Sequence, residues 1–137
     1  MGEDQQRPAP LLTEDNKFFW EAAREGRLVA QRCGSCGRLL HPPRPMCPDC
    51  LGVGMEVVEL SGYGSVYSYT VLHHPQNPRF EYPLVAALVD LEEGIRLVTN
   101  LVGEAAHTPE IGLLVRVVFA PTDRDYQVPV FELRGSG

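Results

Sequence analysis

No apolar run in the chain approaches the roughly 20 residues that span a bilayer. The longest candidate, PLVAALVDL, has only the length of a strand. Lysine is almost missing, Lys17 being the only one among 12 basic side chains, and these are outnumbered by 18 acidic residues for a formal net charge of −6. That balance counts against a general nucleic-acid binder, whose electrostatic footprint is a basic face. The N-terminus MGEDQQRPAP is polar and proline-rich, without the apolar core of an export signal, so the expected location is cytoplasmic and disulfides are disfavoured. Cysteine is scarce as well: all four lie between Cys33 and Cys50.

Those four sit in CGSCGRLLHPPRPMCPDC as two C-x-x-C pairs ten residues apart. Each pair places two sulfurs on one tight knuckle, where Gly34, Gly37 and Pro48 let backbone N–H groups turn toward the thiolates. Two facing knuckles make a tetrahedral cage of Cys33, Cys36, Cys47 and Cys50, which suits a structural Zn2+. Rubredoxin-type iron shares this ligand set and stays open. Four sulfurs complete a tetrahedron, so His41 between the knuckles reads as a surface histidine. Once the cysteines are committed to metal, no thiol is left as a nucleophile, and no catalytic residue is assigned. Arg24, Arg27, Arg32, Arg38 and Arg44 crowd this region with only Glu25 among them.

The chain divides into a flexible lead or linker (1–12), an N-terminal helix and first ribbon strand (13–32), a zinc ribbon (33–58) and a barrel (59–137). LLTEDNKFFWEAAREGR predicts the helix, with Thr13 or Asp15 as N-cap and Gly26 as its left-handed stop. Phe18, Phe19 and Trp20 are more aromatic surface than a small satellite covers easily, which suggests a partner groove or ligand surface. GYGSVYSYTVLHH then alternates, with Val66, Ser68, Thr70 and Leu72 on one side. YPLVAALVDLEEG and IRLVTNLVG form a hairpin turning at EEG, and GLLVRVVFAPT and VPVFELR add two strands. The predicted fold is mainly β: a helix, a rubredoxin-like zinc ribbon and a five-stranded OB-fold barrel.

From Phe18 to Leu133, the order FFWEAAREGRL, QRCGSCGRLLHPPRPMCPDC, GYGSVYSYTVLHHP, YPLVAALVDLEEGIRL, IGLLVRVVF and PVFEL resembles the zinc-ribbon OB-fold proteins of acyl-CoA metabolism. These have long been catalogued as a domain of unknown function. Within that family the resemblance is to the C-terminal OB domain of the actinobacterial steroid side-chain enoyl-CoA hydratase, which pairs with a thiolase-like aldolase. It implies an accessory subunit, inactive alone, that binds a thiolase-like protein and helps hold an acyl-CoA during retro-aldol cleavage, with room for an enoyl-CoA hydratase domain upstream. On that reading Arg38, Arg44 and Arg79 serve the phosphates of coenzyme A, and Phe80 and Tyr82 its apolar and adenine portions. His73 and His74 supply polar contacts, and Phe18, Phe19 and Trp20 meet the partner. The alternative is a nucleic-acid-binding protein, since OB barrels and zinc ribbons both occur there and the arginine cluster beside Trp20 suits phosphates and stacking.

Overall fold

The computed structural model of the protein describes residues 7–74, 76–80, 82 and 84–134. Helix α1 spans Lys17–Arg24. It starts later than Thr13 or Asp15 because Thr13 and Asn16 first close a polar turn on each other. The Thr13 N–H donates to Asn16 Oδ1 at 2.7 Å and the Asn16 N–H to Thr13 Oγ1 at 3.2 Å, which leaves Asn16 as the cap. The helix stops where expected. The Arg27 N–H reaches the Ala22 carbonyl at 2.9 Å, the Gly26 N–H reaches Ala23 at 3.0 Å, and Gly26 takes φ +79°.

The chain then builds a small sheet from β1 (Val29–Cys33), β2 (Leu39–Leu40) and β3 (Met55–Glu59), in the order β2-β1-β3. Antiparallel pairing of β1 with β3, from Val29–Glu59 to Cys33–Met55, draws the ribbon shut at its base.

Five further strands close a barrel in the order β4-β5-β6-β8-β7. They are β4 (Tyr63–Leu72), β5 (Leu84–Leu91), β6 (Arg96–Leu101), β7 (Leu114–Pro121) and β8 (Gln127–Leu133), with a one-turn helix α2 (Glu104–His107) after β6. The β5–β6 hairpin turns at the expected EEG, where the Gly94 N–H returns to the Leu91 carbonyl at 2.9 Å. Strands β6 and β8 pair in parallel, Leu101 with Phe131, while β7 closes onto β4, Tyr63 with Arg116. This is the OB-fold anticipated from the strand pattern.

The simple alternation expected along β4 does not hold. Register with β5 slips between Val66 and Ser68, so Tyr67 is an extra residue and the inward parity changes there. Val66 faces Val89 inside the barrel, but beyond the bulge Tyr69 and Val71 lie opposite the buried Ala87 and Val85, and Ser68 and Thr70 turn outward. The bulge bends a ten-residue strand enough to serve two neighbours.

Val66, Val85, Val89, Leu97, Val115 and Phe131 fill the barrel. Leu28 and Ala30 from the ribbon side and Phe19 from α1 belong to the same cluster. Phe19 is only 6% exposed, and Phe18 and Trp20 pack against this core half-buried. Phe19 therefore finds its cover on its own barrel, while Phe18 and Trp20 keep part of their surface exposed, where a partner or ligand surface was expected. Burial of a Phe side chain contributes about 2 kcal/mol.

Candidate metal centre and apolar cleft

The two knuckles bring Cys33, Cys36, Cys47 and Cys50 together, all four sulfurs lying within 4.8 Å of one another. Cys33 and Cys50 are 3.4 Å apart and Cys36 and Cys47 3.7 Å. These separations are too long for a disulfide, and the four thiols are free. They match the edge of about 3.8 Å that Zn–S bonds of 2.3 Å impose on a tetrahedron. Each knuckle is held by its own backbone: the Gly37 N–H donates to the Cys33 carbonyl at 2.8 Å and the Leu51 N–H to the Cys47 carbonyl at 2.9 Å. Gly52 sits tightly against the site, since a Cβ there would lie 3.3 Å from the Cys50 sulfur and 3.0 Å from Ser35 Oγ, and these side chains would have to give way.

The donor set is electrostatically poised for a cation. The N–H groups of Cys36 and Ser35 draw the Cys33 thiol down to about 6, and those of Cys50 and Asp49 lower Cys47. At Cys50 the Gly52 N–H favours the thiolate, but the neighbouring sulfurs and burial outweigh it and push the thiol up to about 12. Four thiolates at such distances repel one another, and a divalent cation at their centre removes that conflict. The zinc ribbon is thus a site in which four cysteines can hold a structural zinc.

His41 is not the surface residue expected. It is half-buried, its ring 5.4 Å from that of Phe19, and burial lowers its pKa. It leads a rigid His41-Pro42-Pro43 segment whose first peptide bond is cis. This segment is one wall of an apolar cleft of about 430 Å³ between ribbon, helix and barrel. Phe19 and Trp20 of α1 form a second wall, their rings 4.8 Å apart and edge to face. Leu97–Asn100 of β6 and Val128–Val130 of β8 make the floor, and Arg7, Pro8 and Phe80 close the remaining side.

Residues 7–9, expected within a flexible lead, lie against the barrel, while residues 1–6 of that lead fall outside the described residues. The Asp123 N–H donates to the Arg7 carbonyl at 2.9 Å, and the Asp123 carboxylate accepts the Ala9 N–H at 3.1 Å and pairs with Arg79. Arg7 itself donates to Asn100 Oδ1 at 2.8 Å and lies over the Phe80 ring, 5.4 Å from its centroid. Asp123 thus ties the N-terminal strap and the loop bearing Phe80 to one point.

The seven residues expected to hold a ligand are not gathered into one place. Phe80 enters the cleft with Trp20. Arg38 and Arg44 line a separate polar groove between ribbon and barrel, and Arg38 there pairs with Asp49 at 2.6 Å. Arg79 is engaged by Asp123, and the Tyr82 hydroxyl accepts the Asn77 N–H at 2.7 Å beside another recess. His73 and His74 are exposed beyond the end of β4. The cleft residues that sequence reasoning missed are Arg7, His41, Asn100 and the β8 segment. The paired prolines after His41 were the available signal, while the others become neighbours only through long-range contacts.

The arginine cluster is largely neutralised in place. Arg24 pairs with Asp125, Arg27 with Glu25 and Glu59, Arg32 with Glu56 and Arg38 with Asp49. Such a surface offers phosphates little net charge, which weighs against the nucleic-acid reading. Among the described residues no helix is long and apolar enough to cross a membrane.

Two family models match end to end: "ChsH2, rubredoxin-like zinc ribbon domain" over residues 20–56 and "ChsH2, C-terminal OB-fold domain" over residues 57–120. The chain is 51% identical over 125 residues to a "Probable enoyl-CoA hydratase alpha subunit" of Thermomonospora curvata, covering 91% of this chain and 39% of the relative. It is 37% identical over 110 residues to the "3-oxo-4,17-pregnadiene-20-carboxyl-CoA hydratase alpha subunit" of Mycobacterium tuberculosis, covering 80% of this chain and 35% of the relative. The chain thus spans well under half the length of these two proteins. It is 34% identical over 110 residues to "Benzoylsuccinyl-CoA thiolase subunit BbsA" of Thauera aromatica, covering 75% of this chain and 76% of the relative. Among solved structures, a chain described as "Ltp2-ChsH2(DUF35) aldolase" superposes with TM-score 0.86 at 50% identity, covering 91% of this chain and 98% of that one.

Proposed function

The chain belongs to the DUF35 family, with a ChsH2-type zinc ribbon preceding a ChsH2-type OB-fold, and from that premise we propose that it is an accessory subunit of a thiolase-like acyl-CoA enzyme. The observation that carries this reading is the near-complete match to a chain described as part of an aldolase, at 50% identity over 98% of that chain. The thiolase-subunit relative points the same way. The chemistry of this chain agrees: its four thiols converge on one point as ligands for a metal, which leaves none as a nucleophile. The partner supplies the nucleophile or base, while the ribbon and barrel give a rigid docking frame. The finer reading is retro-aldol cleavage of an acyl-CoA during steroid side-chain catabolism, which the name of the mycobacterial relative supports.

Co-expression with a thiolase-like protein of the same organism, followed by native mass spectrometry and an aldolase assay, tests this function. A metal-loaded complex that cleaves an acyl-CoA, where neither protein alone does so, is the expected result. A chain that stays uncomplexed, or that cleaves substrate by itself, overturns it.

A further inference from the structure

The apolar cleft and the polar groove beside it are two halves of one trough. His41 lines both, and β6 runs beneath both, with Arg96 at the groove and Leu97–Asn100 at the cleft. The six residues of β6 give the trough a length of about 20 Å. Along that strand Leu97 is buried while Arg96 and Val98 turn outward, and Val98 is 81% exposed. The chain alone thus leaves an apolar side chain in water at the middle of the floor.

The polar half holds unmet hydrogen-bonding groups of both kinds. Arg38 and Arg96, which line it, are paired with Asp49 and Asp90. Arg44 lines it too, and among the described residues it takes part in none of the ion pairs. The Arg44 N–H donates to Oε1 of the buried Gln31 at 2.7 Å, which fixes the backbone beneath an exposed guanidinium. On the facing side Glu93 accepts the Ser61 N–H on Oε2 at 2.8 Å, but its Oε1 is buried without a hydrogen-bond partner. An open donor and an unsatisfied acceptor in one groove suit an occupant that carries both carbonyl or carboxylate oxygens and N–H groups. A peptide chain carries both in alternation.

The spacing of the floor fits a peptide as well. In an extended chain the side chains that share a face are two residues, roughly 7 Å, apart, which is also the separation of Val98 from Arg96. An apolar side chain set over Val98, against the wall of Trp20 and Pro43, therefore brings its second neighbour to Arg96 and Arg44, where a carboxylate is complementary.

We propose that this trough is the docking groove for an extended segment of the thiolase-like subunit, with a bulky apolar side chain over Val98 and, two residues along, a carboxylate against Arg44. The identity of that partner rests on the accessory-subunit reading.

The dissociation constant of the metal-loaded chain with a thiolase-like protein of the same organism is measured for wild type, Val98→Asp, Arg44→Ala and Ile111→Asp. All three positions are exposed, so the fold is expected to stand, and metal content with circular dichroism checks that it does. Val98→Asp is expected to weaken assembly about 100-fold or more, because it carries a charge into an apolar contact. Arg44→Ala is expected to weaken it about tenfold, as loss of a charge-assisted bond does. Ile111, 73% exposed and outside the trough, is the control, and its Asp variant should bind as wild type does. Wild-type affinity in both trough variants overturns the groove and leaves the accessory reading standing, whereas a wild-type chain that never binds the partner overturns both. Normal assembly of the trough variants with lost turnover assigns the trough to a small ligand and overturns docking. Self-association of the wild type that Val98→Asp abolishes assigns it to a second copy and overturns docking equally.

Discussion

Gln127, near the start of β8, donates from Nε2 to the carbonyl oxygen of Ala23 at 3.1 Å and to that of Arg24 at 3.3 Å. One barrel side chain therefore adds a second bond to the Ala23 carbonyl, which the Gly26 N–H also reaches, and supplies a partner to that of Arg24 at the end of α1. Gln127→Ala is expected to cost about 1 kcal/mol and to loosen the helix more than the barrel. Faster amide exchange confined to Lys17–Arg24, with the strands still protected, is the expected pattern; uniform exchange throughout would show that this contact does not anchor the helix.

Purified protein should carry one zinc ion per chain. Cys47→Ser removes a fully buried ligand, and because so small a ribbon draws its stability from the metal bonds, the variant should lose zinc and ribbon structure together. Metal analysis and a thiol titration check this. Four rapidly titrating thiols in a folded, metal-free wild type contradict it.

Gly64 admits no side chain, since a Cβ would stand 2.5 Å from the Asp90 carbonyl oxygen and 2.9 Å from Val89 Cγ1. That backbone cannot retreat without breaking the β4–β5 ladder. Gly64→Ala is expected to destabilise the barrel by about 2 kcal/mol or more, measured by denaturant unfolding. A neutral result means that the two strands separate more easily than their pairing suggests.

The Arg79 guanidinium holds the Asp123 carboxyl below its usual range. A depressed folded pKa means the ionised form is favoured by folding. The stabilisation is therefore present above the unfolded value of about 3.9 and is lost as pH falls through the folded value. Thermal unfolding of wild type and Asp123→Asn should differ by a constant amount above about pH 5 and converge below pH 4. Parallel curves down to pH 2 would rule out this pair as the source.

His73 and His74 are exposed and contribute to none of the clefts described above. The double substitution to Ala should leave kcat of the assembled enzyme within about twofold, since loop residues of this kind contribute little to fold or chemistry. Abolished turnover with intact assembly would make these histidines part of the reaction.

The parts legible in the sequence are those written in short-range spacing. The doubled C-x-x-C gave the metal centre, Gly26 the end of α1, and the EEG turn the β5–β6 hairpin. The Tyr67 bulge was hidden because an extra residue in a strand carries no local mark; only the partner strand exposes the slip. The apolar cleft was hidden for a related reason. Arg7 and Asn100 are 93 positions apart and meet only after the barrel has closed. Residue type and the family resemblance suggested seven ligand contacts, but neither says whether Arg38 and Phe80 share a neighbourhood, and they line different clefts.

The base of the ribbon, where β1 pairs with β3, sets an order of events. All four sulfurs fall within an 18-residue stretch that emerges from the ribosome before any barrel strand. The barrel, by contrast, cannot shut until Arg116 reaches Tyr63. Metal capture is thus open to the nascent chain while barrel closure must wait for the C-terminal strands. A shortage of zinc would impair a step that precedes barrel closure, delivering to the later strands a helix and ribbon not yet anchored to receive them.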